Sequence, residues 1–501
     1  MASQSAENIT FLRECYGPIS FRCSIVGCPH YDVGFEQLQE RDSHVASHNR
    51  QFKCPERGCF YEEVGFANSR SLNRHFSQCH TDMASNKFFF PRPSNSRLPT
   101  VDEQKQFREA IESGDIGPVR ELIHINSYLT DRVGLDDYTG LQHAARHGKI
   151  GSALLLLHNG SNIGAVNIYG TALNVACSWG QTDMVQLLLS NSSCEEDVNA
   201  RDKWDDTPLL LILGSRYASH PASVQLAVVQ LLLKDSRVFA DSKNRDGRTP
   251  LSLAAAMKRP GAAPLAQILL EHGGIDVNAK DRFGRTPLSW AVCAFGGDSG
   301  ALAVKVLLGH DEINVGARDK WGRTPLSWAA SEGTAVVVNA LLEHGVGVDV
   351  NAKDSEGRTP LSLAAARWQP GAASVVKMLL EHGRVDVDAK DNEGRTSLSW
   401  AAARKYSESE TELVVKILLE RDGISQNERD NGGRTPLSWA ASQGNVGAVN
   451  AFLEHGVGID VNAKDNEGRT PLSWAAAREN DLQRVPVVKA LMEHGGVGGA
   501  L

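Results

Sequence analysis

Residues able to hold a metal ion gather at the amino-terminal end of this 501-residue chain. Cys23 and Cys28 precede His44 and His48, and Cys54 and Cys59 precede His75 and His80. A shift of 31 residues carries Cys23 onto Cys54, Cys28 onto Cys59, Phe35 onto Phe66 and His44 onto His75. A pair of thiolates on a turn, followed by two imidazoles one helical turn apart, is the tetrahedral N/S donor set that Zn2+ prefers. The two sets therefore predict two Zn2+ ions. In the second set the same shift carries His48 onto Cys79, one place before His80. Both spacings suit a fourth ligand; His80 is the assignment, with Cys79 the alternative. The plainer reading of all these cysteines is buried thiols.

To converge on one ion, each set needs a turn under its cysteines and a helix under its histidines. Residues 20–82 carry little apolar mass, so metal must supply much of their folding energy and a chelator should unfold them. The segments resemble two-Cys/two-His zinc fingers, which are small ββα units. Phe35 and Phe66 match the core phenylalanine of that family, and Leu72 matches its core leucine. In the first segment Arg41 stands at the leucine position, so Leu38 has to fill the gap. The base-reading positions of such fingers fall here on Gln37, Glu40 and Ser43, then on Asn68, Ser71 and Arg74. Only Arg74 resembles a strong guanine reader. Residues 20–82 hold seven Lys/Arg against eight Asp/Glu, whereas fingers that grip phosphate need a positive surface. Their linker, Asn49 to Lys53, also lacks the Thr-Gly-Glu-Lys-Pro form. Protein contact or packing is the favoured role, and nucleic-acid binding the second.

Beyond a 1–19 segment expected to be disordered, these fingers at 20–82 and a Ser/Asn/Pro tether at 83–100, the chain is repetitive. In Asp319 to Asp354, apolar residues recur at helical spacing twice, as Leu326, Ala329, Ala330 and then Val338, Leu341, Leu342. Thr324 and Pro325 form a helix start, and Gly345 a helix stop. The polar stretch that follows is a turn. Thr-Pro or an equivalent recurs at Thr207, Thr249, Thr286, Thr324, Thr359, Thr396, Thr435 and Thr470, with weaker copies at Thr139 and Thr171. These residues, with the Asp-Val-Asn-Ala ending at Asp276, Asp349 and Asp460, resemble the ankyrin signature. The resemblance implies an all-α solenoid of helix-turn-helix units joined by β-turn loops, about ten to eleven units over residues 101–501. It also implies a surface for protein partners. Ser289, Ser327, Ser438 and Ser473 stand where the family has histidine, so its usual histidine hydrogen bonds between repeats are not expected. Val101 to Leu129 reads as a polar end cap.

Several features vary along the array. Extra residues at 216–225, 295–302 and 405–412 read as solvated loops. Trp290, Trp328, Trp400, Trp439 and Trp474 share a register with Leu253 and Leu363, which suggests a packing column. Arg248, Arg285, Arg323, Arg358, Arg395, Arg434 and Arg469 stand beside Asp or Asn and read as a solvated charge ladder. Between each turn's opening Asp or Asn and its glycine, two residues change. They are basic or aromatic early and neutral or acidic late (Ser355/Glu356, Asn392/Glu393, Asn466/Glu467). Trp204, Arg282, Phe283, Lys320 and Trp321 are therefore the candidate contacts for a protein with acidic surface. The alternative is that these rings fold back on neighbouring turns.

A net charge of −8 argues against broad nucleic-acid affinity. The opening residues hold no apolar signal core and no run approaches a membrane span. Phosphate-loop, His-Glu-x-x-His and Gly-x-Ser-x-Gly patterns are missing, and Cys177, Cys194 and Cys293 have no histidine at a meaningful spacing. The expectation is a non-enzymatic, monomeric scaffold or adaptor inside the cell, in cytoplasm or nucleus. The second reading is a DNA-tethered transcriptional regulator.

Overall fold

A computed structural model describes residues 99–495 apart from short stretches at 127–128, 131–137, 193–194, 215–219, 259–260, 294–297, 368–370, 405–407 and 478–483. The Cys/His sets, from Cys23 to His80, lie outside the described residues. Two compact units are present: one reaches Pro250 and includes Glu271–Ile275, and the other holds Leu251–Leu270 and Asp276 onward.

The first unit contains α1 (Val101–Ser113) with α2 (Ile116–Ile125), α3 (Gly140–Arg146) with α4 (Ile150–His158), and α5 (Ala172–Ser178) with α6 (Thr182–Asn191). A single turn, α7 (Glu195–Val198), leads to α8 (Pro208–Gly214) and α9 (Ala222–Lys234). In the second unit the pairs are α10 (Pro250–Ala255) with α11 (Ala262–His272), α12 (Pro287–Cys293) with α13 (Asp298–Leu308), and α14 (Pro325–Glu332) with α15 (Ala335–His344). They continue as α16 (Pro360–Ala366) with α17 (Ala372–Glu381), α18 (Ser397–Ala402) with α19 (Glu408–Leu419), α20 (Pro436–Gln443) with α21 (Val446–His455), and α22 (Pro471–Ala476) with α23 (Arg484–Glu493). Among the described residues the only β pairing is an isolated bridge between Asn167 and Gly170.

Each first helix starts where the threonine is. Thr324 Oγ1 accepts from the Ser327 N–H at 3.2 Å, and Pro325 follows at the first helical position. The same cap recurs at Thr359, Thr396, Thr435 and Thr470. Thr100 begins α1 with a full capping box to Glu103, so the first pair has a threonine start without the proline. Leu326, Ala329, Ala330, Val338 and Leu341 are buried, while Leu342 is half-buried. Gly345 ends α15 at φ 67°, ψ −38°, positive in φ but outside the left-handed helical well.

The inserts depart from expectation where they are described, and 216–219, 295–297 and 405–407 lie outside the described residues. Residues 222–225, 298–302 and 408–412 are not loops: they lie in α9, α13 and α19, lengthening those helices to 13, 11 and 12 residues. In 222–225 and 298–302 alanine, valine and leucine continue the apolar stripe of the second helix, and 408–412 adds a first turn rich in glutamate, which the helix N-terminus favours.

Neighbouring pairs are tied together at the turns by polar links that each join one repeat to the next. At the tips the Lys320 N–H donates to Phe283 C=O, Ser355 to Trp321, Asn392 to Glu356, Asn431 to Glu393 and Asn466 to Gly432, at 2.8–3.0 Å. Gly322 makes this approach possible: φ is 73°, and a Cβ there would meet the Ser355 N at 3.0 Å. Asp205 takes the corresponding place in the first unit with φ 69°, the one positive-φ residue other than glycine among those described. A cation column extends the linkage, with Lys280 Nζ donating to Arg318 C=O, Lys353 to Lys390 and Lys390 to Arg429.

The asparagine of Asp-Val-Asn-Ala is a two-ended clamp. Asn351 Nδ2 donates to Arg384 C=O at 2.9 Å while its Oδ1 accepts from the Asp386 N–H at 2.8 Å. Asn199, Asn278 and Asn427 do the same across their own junctions. At one junction the residue is Asp388, whose two oxygens both accept from the Ser425 N–H. A carboxylate cannot donate, so the carbonyl end of this clamp is missing. Asp388→Asn is therefore expected to raise the urea midpoint by the equivalent of about 0.5–1.5 kcal/mol, and Asn351→Ala to lower it by about 1–3 kcal/mol. Equilibrium unfolding of the two variants beside the parent chain checks both signs.

Candidate functional site

Four of the five predicted contact residues come together on consecutive turn tips of the second unit. Asp281 and Asp319 build those tips from inside. Asp319 Oδ1 accepts from the Trp321 and Arg323 N–H groups, each at 2.9 Å, and Asp281 Oδ1 does the same for Phe283 and Arg285. This fixes the two variable residues outward. Phe283 and Trp321 then stack across the turns, with ring centroids 5.8 Å apart and planes 15° from parallel. Arg282 lies over the Phe283 ring at 5.1 Å, and the Arg282 and Lys320 side chains are exposed. Trp321 remains 42% exposed despite its stacking partner.

Beneath the tips is a second layer that the sequence did not announce. Arg285 places its guanidinium over four rings, at 5.8 Å from Phe283, 4.8 Å from Trp290, 5.2 Å from Trp321 and 4.9 Å from Trp328. The tryptophan column is more than packing. Trp290 Nε1 donates to Asp281 Oδ2 at 3.1 Å, Trp328 to Asp319 at 2.9 Å, Trp400 to Asp391 at 2.9 Å, Trp439 to Asp430 at 2.9 Å and Trp474 to Asp465 at 3.0 Å. The regular nine-residue separation from Asp to Trp was the available signal. It went unread because leucine shares the column. Leu363 explains that exception: with no indole present, Arg358 Nε and Nη2 both donate to Asp354 Oδ2, at 3.0 and 2.8 Å.

The arginine column is likewise not a solvated ladder. Arg395 and Arg469 lie 3.8 and 3.9 Å from the Trp400 and Trp474 ring centroids and donate to Asp391 and Asp465. The Arg358 and Arg395 side chains are only 15% exposed. Arg395 stacks on the Trp400 ring and pairs with a buried carboxylate, and Arg358 pairs twice with Asp354, which leaves both little contact with water. Their remaining nitrogens reach outward to the tip glutamates, Arg358 to Glu356 at 2.8 Å and Arg395 to Glu393 at 3.0 Å. The late tips thus carry acids already paired with arginine, and the tips at 282–283 and 320–321 carry cations beside rings. Burial pushes the Asp465 carboxyl up. Hydrogen bonds from the Arg469 N–H and guanidinium, from Trp474 and from the Glu467 N–H outweigh that and hold it below the usual carboxylate range.

Trp204, the fifth predicted residue, belongs to the first unit, where it is half-buried with Lys203 Nζ 4.1 Å above its ring. The histidine position of the repeats divides by side-chain length. In the first unit Gln142 Nε2 donates to Gly170 C=O and Asn174 Nδ2 to Ala200 C=O, each at 2.8 Å, so both bridge to the next repeat. In the second unit the shorter Ser289, Ser327 and Ser438 pair with their own cap threonines, and Ser362 reaches the next repeat only through a second hydroxyl, Ser397, at 3.3 Å. Cys177 and Cys293 are thiols driven up by burial, Cys293 to about 12, which makes them poor nucleophiles. Cys194 lies outside the described residues. No described helix is long and apolar enough to cross a membrane.

A family model described as ankyrin repeats (3 copies) matches residues 107–211, 216–319, 293–391, 347–430, 371–465 and 398–498. No curated protein matches the chain. Among solved structures, the ankyrin repeat domain of Bcl-3, described as a unique member of the IkappaB protein family, is similar at 26% identity. That alignment covers 49% of this chain and 99% of the other, with a TM-score of 0.39.

The buried carboxylate, rather than the indole above it, holds each tip. Asp319→Ala strands two backbone N–H groups and the Trp328 N–H, and should destabilise by about 2–4 kcal/mol. Trp328→Leu reproduces the Leu253 and Leu363 repeats and should cost about 1–2 kcal/mol. Urea unfolding of the two variants tests that order; a costlier Trp328→Leu would contradict it.

Proposed function

This chain belongs to the ankyrin-repeat family, and from that premise we propose that it is a protein-interaction scaffold. The tips at 282–283 and 320–321 capture a partner that offers acidic surface. Trp321 carries this reading. Its indole is exposed on a turn whose fold needs only the Asp319 carboxylate and the Gly322 backbone. At the same place later turns put serine–glutamate, asparagine–glutamate or asparagine–glycine. A large ring held outward by a rigid turn, stacked on Phe283 and flanked by Arg282 and Lys320, combines the aromatic and cationic side chains that anchor interfaces. Rigidity also limits the entropy lost when a partner docks.

The amino-terminal Cys/His sets add a second module in this proposal. Cys23, Cys28, His44 and His48 bind one Zn2+, and Cys54, Cys59, His75 and His80 another, supported by the matched ligand spacing. Seven basic against eight acidic residues favour protein contact over phosphate contact for these fingers. The scaffold works as a monomer inside the cell.

The Phe283→Ser/Trp321→Ser double variant should lose partner capture by about ten-fold or more at unchanged helical circular dichroism. Capture from a cell extract, quantified by mass spectrometry beside the parent chain, checks this; equal capture by both chains removes the patch. Cys54→Ser should lower bound zinc by one equivalent per chain in elemental analysis, and unaltered zinc would remove the second finger.

A further inference from the structure

Three donor side chains converge where the first helix pair meets the next. Glu112 near the end of α1, His143 on α3 and His147, which caps α3, bring one ligand atom each within 4.8 Å of the others. Glu112 Oε1 lies 3.9 Å from His143 Nδ1 and 3.7 Å from His147 Nε2. Both separations are too long for hydrogen bonds. They are close to the edge of a coordination tetrahedron, roughly 3.4 Å for N and O ligands about 2.1 Å from zinc.

The positions follow from the backbone. His143 and His147 are four residues apart, so the end of α3 presents both imidazoles on one side. The His143 side chain is buried and its ring packs against Tyr138, centroids 5.3 Å apart. Glu112 and His147 keep 39% and 35% of their side-chain surface in water, so an ion can enter from that side. Arg108 Nε also stands 3.8 Å from Glu112 Oε1, one helical turn back, and is exposed enough to turn into solvent when a cation arrives. Two imidazoles and one carboxylate suit zinc and its first-row neighbours, and three protein ligands leave a fourth position for water.

We propose that Glu112, His143 and His147 form a divalent metal site that takes Zn2+ and staples the end helix pair to the pair behind it. The ion joins α1 to α3 at a junction whose outer pair has one neighbouring pair among the described residues, where fraying would otherwise be easiest. None of these ligands belongs to the Cys/His sets.

The test uses the full chain, stripped of metal and titrated with Zn2+, in parent, Glu112→Gln, His147→Ala and Cys54→Ser forms. Bound zinc is counted by elemental analysis, and hydrogen exchange is followed in residues 101–113. The parent should hold one ion more than Glu112→Gln or His147→Ala. Zinc should slow exchange in 101–113 by about five-fold or more in the parent and in Cys54→Ser, and not in the other two. Equal zinc in parent and His147→Ala, or equal slowing in all four chains, would overturn the site. Both substituted ligand side chains are partly exposed, and circular dichroism before titration shows whether each variant keeps its helices.

Discussion

A pair of helices about ten residues long cannot hide its own apolar face, and everything else here follows from the need for an equal neighbour. Leu326, Ala329 and Ala330 are dry only because the repeats on either side cover them. That apolar contact supplies energy without fixing how far one pair slides on the next. Register comes from the turns. Tip N–H groups reach back by one repeat while the Asn clamps and the Lys column reach forward, so a slip would break several hydrogen bonds at once. Stacking and register are thus divided between two edges of the same unit.

The Asp–Arg–Trp group shows how a charged element is carried inside such a stack. Each carboxylate is taken out of water, which is costly unless donors surround it. Here two backbone N–H groups, an indole N–H and, in several repeats, a guanidinium do so. The arrangement tolerates loss of one member when another replaces it, as Arg358 does beside Leu363. Its consequence is a turn whose backbone is set from inside, to which the late tip asparagines add a side-chain link to the preceding tip.

That independence makes the tips available for recognition. Between the Asp and the Gly any pair of side chains is presented on the same rigid backbone, whether Lys-Trp, Ser-Glu or Asn-Gly. Rings and cations at 282–283 and 320–321, followed by acids paired to arginine at 356 and 393, give the second unit a face of changing character along its repeats. The core is indifferent to these choices.

Helix starts, the glycine turns and the repeat period were legible in sequence because each rests on local chemistry: a threonine cap, a proline at the first helical position, a residue free to take positive φ. The four neighbouring contact residues could be named from the variable positions, but not their stacking, since Phe283 and Trp321 are 38 positions apart and meet only when the repeats do. Reading residues 222–225, 298–302 and 408–412 as loops failed because composition does not show whether an adjacent helix will continue. Reading the arginines as solvated failed for a deeper reason. Local charge alternation looks the same in water and in a stack, and only the packed neighbours decided that the Arg395 and Arg469 guanidiniums would lie on a ring and against a buried carboxylate. The convergence of Glu112, His143 and His147 is tertiary in the same sense: spacing sets the two histidines side by side, and the packing of α1 on α3 brings the glutamate to them.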